Sequence, residues 1–154
     1  MRTFSVLKNL PVYTEQGEKI GEVCDLMISR NGQINEVVVS KKHLFKKPKT
    51  IGVKQIFTCG PDGILVKNIA ESPSPDTSKP ISYHQNVDGK RLLTAKGEDL
   101  GIVKDVYFTE DLGTIVGYEF SDGFFSDITE GKHIARTTLP AAIGKDAIII
   151  NVND

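Results

Sequence analysis

An internal duplication constrains the fold of this sequence more than any other feature. Residues 12–28 align with residues 92–108 without a gap, and both follow the frame apolar-x-Thr-x-x-Gly-Glu-x-apolar-Gly-x-Val-x-Asp-apolar. A second match, of residues 32–40 with residues 113–121, follows after one extra residue. Because the order of the motifs is kept, we predict that the chain contains two copies of one small domain.

A stretch rich in proline and serine separates the two copies. Its composition is typical of an extended linker, which we place at residues 70–81. The first repeat then covers residues 1–69 and the second covers residues 82–154. A repeat of this size buries only about 60% of its unfolded surface, so the two repeats are expected to pack against each other.

Each repeat is predicted to consist of short β-strands. Gly17 and Gly97 lie in turns that suit a positive φ, and strands rich in branched residues follow over 20–28 and 100–108. These strands carry apolar residues in both alternating phases, which indicates burial on both faces or a bulge near the glycine at their second position. Helical periodicity is confined to isolated turns. The pattern therefore predicts an all-β chain that forms two small, mutually packed β-barrels.

The composition excludes several classes of protein. Hydrophobic residues make up 39% of the chain and charged residues 25%, which is typical of a globular protein and excludes disorder throughout. No apolar run approaches the roughly 18 residues of a transmembrane helix. Residues 1–12 lack the features of a secretory signal, and Cys24 and Cys59 are too few for a disulfide scaffold. We therefore expect a cytoplasmic protein.

The reactive side chains do not follow a known catalytic or metal-binding pattern. His43, His84 and His133 are scattered and have no metal-ligand spacing to the cysteines. Asp25 and Asp105 occupy equivalent positions in the two repeats, where we expect structural hydrogen bonds to nearby groups rather than an acid–base pair in one cleft. We expect no enzymatic activity, no metal and no cofactor.

The two repeats differ most in one loop. Residues 41–49 of the first repeat contain five lysines, an aromatic residue and no acid, so they could bind phosphate groups or form a solvated or docking loop. The corresponding residues 122–132 are acidic and contain two adjacent phenylalanines, which could form a contact surface or cap their own domain. The candidate interaction residues are Lys41, Lys42, Phe45, Lys46, Lys47, Phe124, Phe125 and Asp127.

The opposite charges of these loops favour contact between them. If a pseudo-twofold axis brings the loops together, the contact lies within one molecule. If the loops lie at opposite ends, two chains associate instead. We favour the second arrangement and predict a weak homodimer, in which the phenylalanines supply most of the affinity because exposed ion pairs contribute only about 0–1 kcal/mol each.

The repeated frame resembles the PRC-barrel, a domain named for the H subunit of the photosynthetic reaction centre and also found at the C-terminus of a ribosome maturation factor. The resemblance covers roughly residues 3–69 and 82–152. The first repeat departs from the family at Lys54, where a proline is usual and where the second repeat has Pro140. The matching motif residues are Gly17, Gly21, Asp25, Gly97, Gly101 and Asp105.

The resemblance implies a role in binding rather than catalysis. PRC-barrels resemble non-catalytic adaptor domains that bind proteins, and no catalytic residues define them. The leading hypothesis is therefore a protein-binding module. The alternative is an RNA- or ribosome-associated factor that uses the loop at 41–49, and an anionic membrane surface is a further candidate partner for the same loop.

Overall fold

The structure is a computed structural model that describes residues 2–41, 47–67, 80–121, 133–137 and 139–151. Short strands dominate it and the helical segments are isolated turns, as the sequence predicts. The first repeat contains β1 (Arg2–Thr3), α1 (Phe4–Leu7), β2 (Pro11–Thr14), β3 (Lys19–Ile28), β4 (Ile34–Ser40), β5 (Lys49–Gly52), a 3-10 turn (Val53–Gln55), β6 (Ile56–Cys59) and β7 (Ile64–Val66). The second contains β8 (Ile81–Ser82), α2 (Tyr83–Asn86), β9 (Arg91–Thr94), β10 (Asp99–Phe108), β11 (Ile115–Ser121), β12 (His133–Arg136), β13 (Ala142–Ile143) and β14 (Ala147–Ile150).

The strands form two sheets with the same topology. The orders are β5-β4-β3-β2-β7-β6 and β12-β11-β10-β9-β14-β13. Among the strands that the structure describes, only the pairs β2–β7 and β9–β14 are parallel. The chain passes from edge strand β5 to edge strand β6 through the turn at Val53–Gln55, which brings the two edges of the first sheet together. The prediction of two tandem, barrel-like β domains is confirmed, although no ladder joins the two edge strands of either sheet within the described residues.

Bulges bend the two longest strands, β3 and β10. One bulge lies beside the glycine near the start of each strand, as the sequence predicts. A second falls between Val23 and Asp25 in β3 and between Val103 and Asp105 in β10. A bulge adds one residue to the strand and changes the phase of its alternation. Asp25 and Asp105 therefore lie at the bend of their strands. Asp25 lies next to the start of the second repeat, and Asp105 lies next to the start of the first.

The two repeats exchange their first strands. Arg2–Thr3 pairs with residues 107–108 of β10, and Ile81–Ser82 pairs with residues 27–28 of β3. Each exchanged strand continues the edge of the long strand beyond the segment already paired with β2 or β9. The mutual packing of the repeats is thus confirmed, and each repeat also completes the sheet of the other.

One hydrophobic core spans both repeats, and their buried side chains form a single cluster. The rings of Phe4 and Tyr83, which follow the two exchanged strands, lie 4.3 Å apart between centroids. On another side of the core, the β3–β4 and β10–β11 turns meet through a bridge between Gln33 and Thr114, flanked by two backbone hydrogen bonds of 2.9 Å. The repeats are therefore joined by backbone pairing as well as by side-chain packing.

Candidate functional site

Asp105 binds the exchanged segment of the first repeat. Its Oδ2 accepts a hydrogen bond of 2.6 Å from the Ser5 hydroxyl, and its Oδ1 accepts from the backbone N–H groups of Ser5 at 3.3 Å and Val106 at 2.9 Å. Only 6% of Asp105 is exposed. Because several donors converge on this buried carboxylate, its oxygens are committed to holding the start of α1 against β10.

Asp25 makes the equivalent contact in the other direction. Its Oδ1 accepts hydrogen bonds from the backbone N–H groups of His84 at 3.0 Å and Leu26 at 2.8 Å, and its Oδ2 accepts from the Ser82 hydroxyl. Each carboxylate thus binds the first turn of a short helix that belongs to the other repeat. We call the two contacts the aspartate clamps.

The motif glycines serve the turns and the close approach of neighbouring strands. Gly17 and Gly97 have φ angles of 84° and 85°, which glycine adopts without strain. Gly21 lies against β4, where a Cβ would come within 2.5 Å of the carbonyl oxygen of Ser40. Gly101, its counterpart in β10, has a φ of 131°. These positions shape the scaffold that presents the clamps.

The β3–β4 turn closes against the edge of the second sheet. The Ile143 backbone N–H donates to the carbonyl of Arg30 at 2.8 Å, and the Arg30 guanidinium donates back to the carbonyl of Ile143 at 3.2 Å. Ile143 lies on β13 opposite Ile148, and the sheet register makes Cys59 its counterpart, since Cys59 lies on β6 opposite Ile64. The β10–β11 turn should therefore approach Cys59.

The side chain of Arg2, on β1, links the β10–β11 turn to the end of β6. The Arg2 guanidinium donates to the carbonyls of Cys59 and, at 3.3 Å, Gly60, and it also pairs with Glu110 at 3.2 Å. Between the turn and β6 lies an open groove of about 190 Å³. We call it the β6 groove. The residues that line it are Ile56, Phe57, Thr58, Cys59, Glu110, Asp111 and Leu112.

Two unusual residues shape the β6 groove. Phe57 lies at a bulge where the pairing of β6 with β7 shifts register, and 46% of it is exposed. Leu112 is only 1% exposed but has a φ of 57°, a left-handed conformation that disfavours residues with a Cβ. The buried leucine therefore forms a strained floor, and the exposed phenylalanine forms a wall.

The titratable groups of Asp111 and Cys59, which line the groove, have shifted pKa values. Hydrogen bonding from the Thr109 hydroxyl lowers the pKa of Asp111, so that this rim carboxylate is charged at neutral pH. Burial raises the pKa of the Cys59 thiol, which keeps it in the protonated, weakly nucleophilic form. The groove is smaller than the roughly 300–1,000 Å³ of ordinary small-molecule pockets.

Other exposed apolar residues lie away from the groove. Val6 is on α1, Ile134 is on edge strand β12, and Leu139 follows β12. In the described part of the chain, no group of three or more potential ligands could hold a metal ion. Among the described helices, none is long and apolar enough to cross a membrane.

The structure describes only part of the sequence-predicted interaction surface. Lys41 and Lys47 are exposed at the ends of the loop that follows β4. Most of the predicted linker also falls outside the described residues. The last residue of that linker, Ile81, is the first residue of β8. The candidate residues that lie outside the described ranges are Lys42, Phe45, Lys46, Phe124, Phe125 and Asp127.

Neither the β6 groove nor the two arginines that bind the edge strands, Arg2 and Arg30, were predicted from the sequence. Both arginines lie in the first repeat, at positions that the shared frame does not include, so the duplication does not single them out. One available signal was the extra residue in the 109–114 turn compared with the 29–33 turn. A longer turn with Leu112 at a left-handed position indicates that the two turn contacts differ.

The fold and its clamps define a class of protein: a tandem β protein whose two homologous repeats complete each other. The PRC-barrel domain family matches residues 1–72 and 80–154, and the chain belongs to this family. A relative named "Uncharacterized protein YrrD", from Bacillus subtilis (strain 168), is 31% identical over 154 residues, which cover 98% of this chain and 88% of the relative.

Proposed function

We propose that this protein is a non-catalytic, cytoplasmic binding module that docks a protein partner at the β6 groove. The observation that carries the proposal is Phe57, a large apolar side chain left 46% exposed beside a groove at the junction of the two repeats. Aromatic residues anchored in small pockets commonly supply most of the energy of a protein interface.

The surroundings of Phe57 indicate the chemistry of the partner. The buried Leu112 provides an apolar floor, while Asp111 and Glu110 bring carboxylates to the rim. Such a surface fits a partner segment in which an apolar side chain enters the groove and a neighbouring basic side chain meets the carboxylates. Arg2, which already pairs with Glu110, provides the intramolecular example of such a basic contact.

Two features support a non-catalytic role. The carboxylates at the equivalent positions Asp25 and Asp105 are engaged in the aspartate clamps, in separate repeats. The Cys59 thiol beside the groove is held in its protonated form by burial. Neither a paired acid and base nor an activated thiol is therefore offered at these positions.

A capture experiment with matched variants tests the proposal. The wild-type protein and the variants Phe57→Ser and Ile134→Ser are immobilised, and bound proteins from the source cell are quantified by mass spectrometry. Both replaced residues are apolar and about equally exposed, at 46% and 45%. We expect Phe57→Ser to lose at least about tenfold of the specific partner, as for a hot-spot residue worth more than 1 kcal/mol.

The Ile134→Ser control should retain the partner, because Ile134 lies on β12, outside the groove. Equal capture by all three proteins would contradict the docking site. Turnover of a small molecule by the purified protein, lost with Phe57→Ser, would contradict the non-catalytic role.

A second candidate function, RNA binding, is favoured by one observation. Lys41, Lys47 and Lys49 are all exposed at the neighbouring ends of β4 and β5, which pair through Val39 and Lys49. Phosphate contacts of this kind weaken steeply with salt. RNA affinity that falls with salt and with Lys47→Glu plus Lys49→Glu, but not with Phe57→Ser, would support this alternative. Undetectable binding at low salt would exclude it.

A further inference from the structure

We infer that the edges completed by strand exchange can also be filled by a second copy of this chain, so that two chains form an exchanged dimer. In that dimer the first repeat of each chain pairs with the second repeat of the other. The surface concerned comprises the outer ends of β3 and β10 together with the aspartate clamps. This inference is independent of the proposed docking at the β6 groove.

The clamps already accept two different segments. The edge of β10 takes Arg2–Thr3 followed by Phe4, and the edge of β3 takes Ile81–Ser82 followed by Tyr83. Backbone pairing, a hydroxyl and an N–H for the carboxylate, and one buried aromatic ring are common to both. The edges therefore recognise a short strand that leads into a capped turn, irrespective of whether it comes from the same chain.

The exchanged dimer would keep the contacts between repeats that the monomer has. The clamps, the Phe4–Tyr83 contact and the bridge between Gln33 and Thr114 all join one repeat to the other. Each can therefore form between chains without loss. The balance then depends on the protein concentration compared with the effective concentration of the repeat on the same chain, which for tethered domains is on the order of millimolar.

Conversion between the two forms requires the repeats to separate, because the exchanged strands must leave their edges. Native monomers should therefore not exchange on simple mixing. Unfolded chains that refold at a protein concentration of about 1 mM should partition between monomer and dimer, whereas chains that refold at about 1 µM should give monomer. Dimers formed in this way should persist after dilution, because dilution does not separate the repeats.

The first test uses the wild-type chain. Isotope-labelled and unlabelled protein are unfolded together in denaturant, refolded at the two concentrations, diluted and weighed by native mass spectrometry. We expect dimers of mixed mass only after refolding at high concentration, enriched at least about tenfold over the dilute sample. Monomer at both concentrations would overturn the inference, as would a dimer that forms from native monomers and dissociates on dilution.

The second test locates the contact between chains. Gln33→Cys and Thr114→Cys are introduced with Cys24→Ser and Cys59→Ser, because antiparallel partners such as Gln33 and Thr114 lie within disulfide reach. After oxidation, the refolded dimer should be covalently linked in non-reducing gels, while the monomer should carry the link within one chain. Gln33→Cys alone should link neither. A dimer whose link stays within each chain would overturn the inference, and the wild-type test decides if this variant does not fold.

Discussion

The two turn-to-edge contacts of this molecule are related by its duplication but differ in outcome. On one side, Arg30 binds Ile143 with both its carbonyl and its guanidinium, and the turn is closed onto β13. On the other side, Arg2 from the exchanged strand binds the equivalent carbonyl of Cys59, and the turn leaves the β6 groove open. In both contacts an arginine donates to the carbonyl of the edge strand, although Arg30 lies in the turn itself and Arg2 lies on β1.

This difference separates the parts of the repeat that hold the molecule together from the part that has diverged. The aspartate clamps are present in both directions with the same types of donor. The turns, in contrast, differ in length and in the residue that takes the left-handed conformation, Gly32 in one and Leu112 in the other. A duplicated scaffold that keeps its clamps can thus change one turn and expose a new surface.

The largest effect is expected where the two sides are alike. Asp105→Ala would leave the Ser5 hydroxyl and the N–H groups of Ser5 and Val106 without their acceptor, at a cost of about 3 kcal/mol in the free energy of unfolding. Asp25→Ala should cost about 2 kcal/mol, because Asp25 is less buried. Urea denaturation measures both values.

The same experiment tests whether the clamps join the repeats into one folding unit. We expect a single transition for the wild-type protein and both variants. The slope of the free energy of unfolding against urea concentration should be unchanged, because the surface exposed on unfolding is the same. Two resolved transitions would show that the repeats unfold separately. A larger effect at Asp25 than at Asp105 would show that burial does not set the contribution of each clamp.

The clamps also mark how much of this structure could be predicted from the sequence. The duplicated frame predicts the strands, the turns at Gly17 and Gly97 and the packing of two domains, because alternation and glycine positions are local signals. Strand exchange leaves no such signal: Arg2–Thr3 and Ile81–Ser82 are two-residue strands, and their pairing partners lie in the other repeat. Local patterns do not distinguish pairing within a repeat from pairing between repeats.

The groove was harder to predict for a related reason. Phe57 lies in a short apolar segment, and its exposure accompanies a bulge in the pairing of β6 with β7. Leu112 lies in the turn that is one residue longer, and it lines the groove together with β6 of the other repeat. Divergence between the repeats, rather than their shared motif, was the signal for this surface.

The left-handed residues of the two turns, Leu112 and Gly32, should respond differently to substitution. Leu112→Gly should relieve about 1 kcal/mol of backbone strain but lose the burial of the side chain, with a net loss of about 2 kcal/mol in stability. Gly32→Ala should cost about 1 kcal/mol through strain alone, because its Cβ would meet its nearest neighbours at an ordinary 3.7 Å. A stabilised Leu112→Gly variant, in thermal or urea unfolding, would show that the leucine does not support the groove.

A smaller difference is expected between the two arginines. Arg2→Ala removes hydrogen bonds to two carbonyls and a partly exposed pair with Glu110, and it should cost about 1 to 1.5 kcal/mol. Arg30→Ala should cost about 0.5 kcal/mol, because the backbone bond from Ile143 remains. Hydrogen exchange provides the control: the Ile143 amide should stay protected in Arg30→Ala. Loss of that protection would show that the guanidinium, not the backbone, closes the turn.

The smallest effect concerns the pH dependence of the two turns. Asp111 accepts a hydrogen bond from the Thr109 hydroxyl at 2.5 Å, whereas its counterpart Asn31 makes a similar bond with Ser29 without a charge. The bond from Thr109 lowers the pKa of Asp111 below its ordinary value of 3.8. The stabilisation is therefore fully present above that value and is lost as the pH falls through the lower pKa of the folded protein. Asp111→Asn, which makes the second turn resemble the first, should be slightly less stable than the wild type at pH 7, and the difference should vanish in strong acid. Urea unfolding of both proteins between neutral and acidic pH measures this, and a difference that grew on acidification would contradict the direction of the shift.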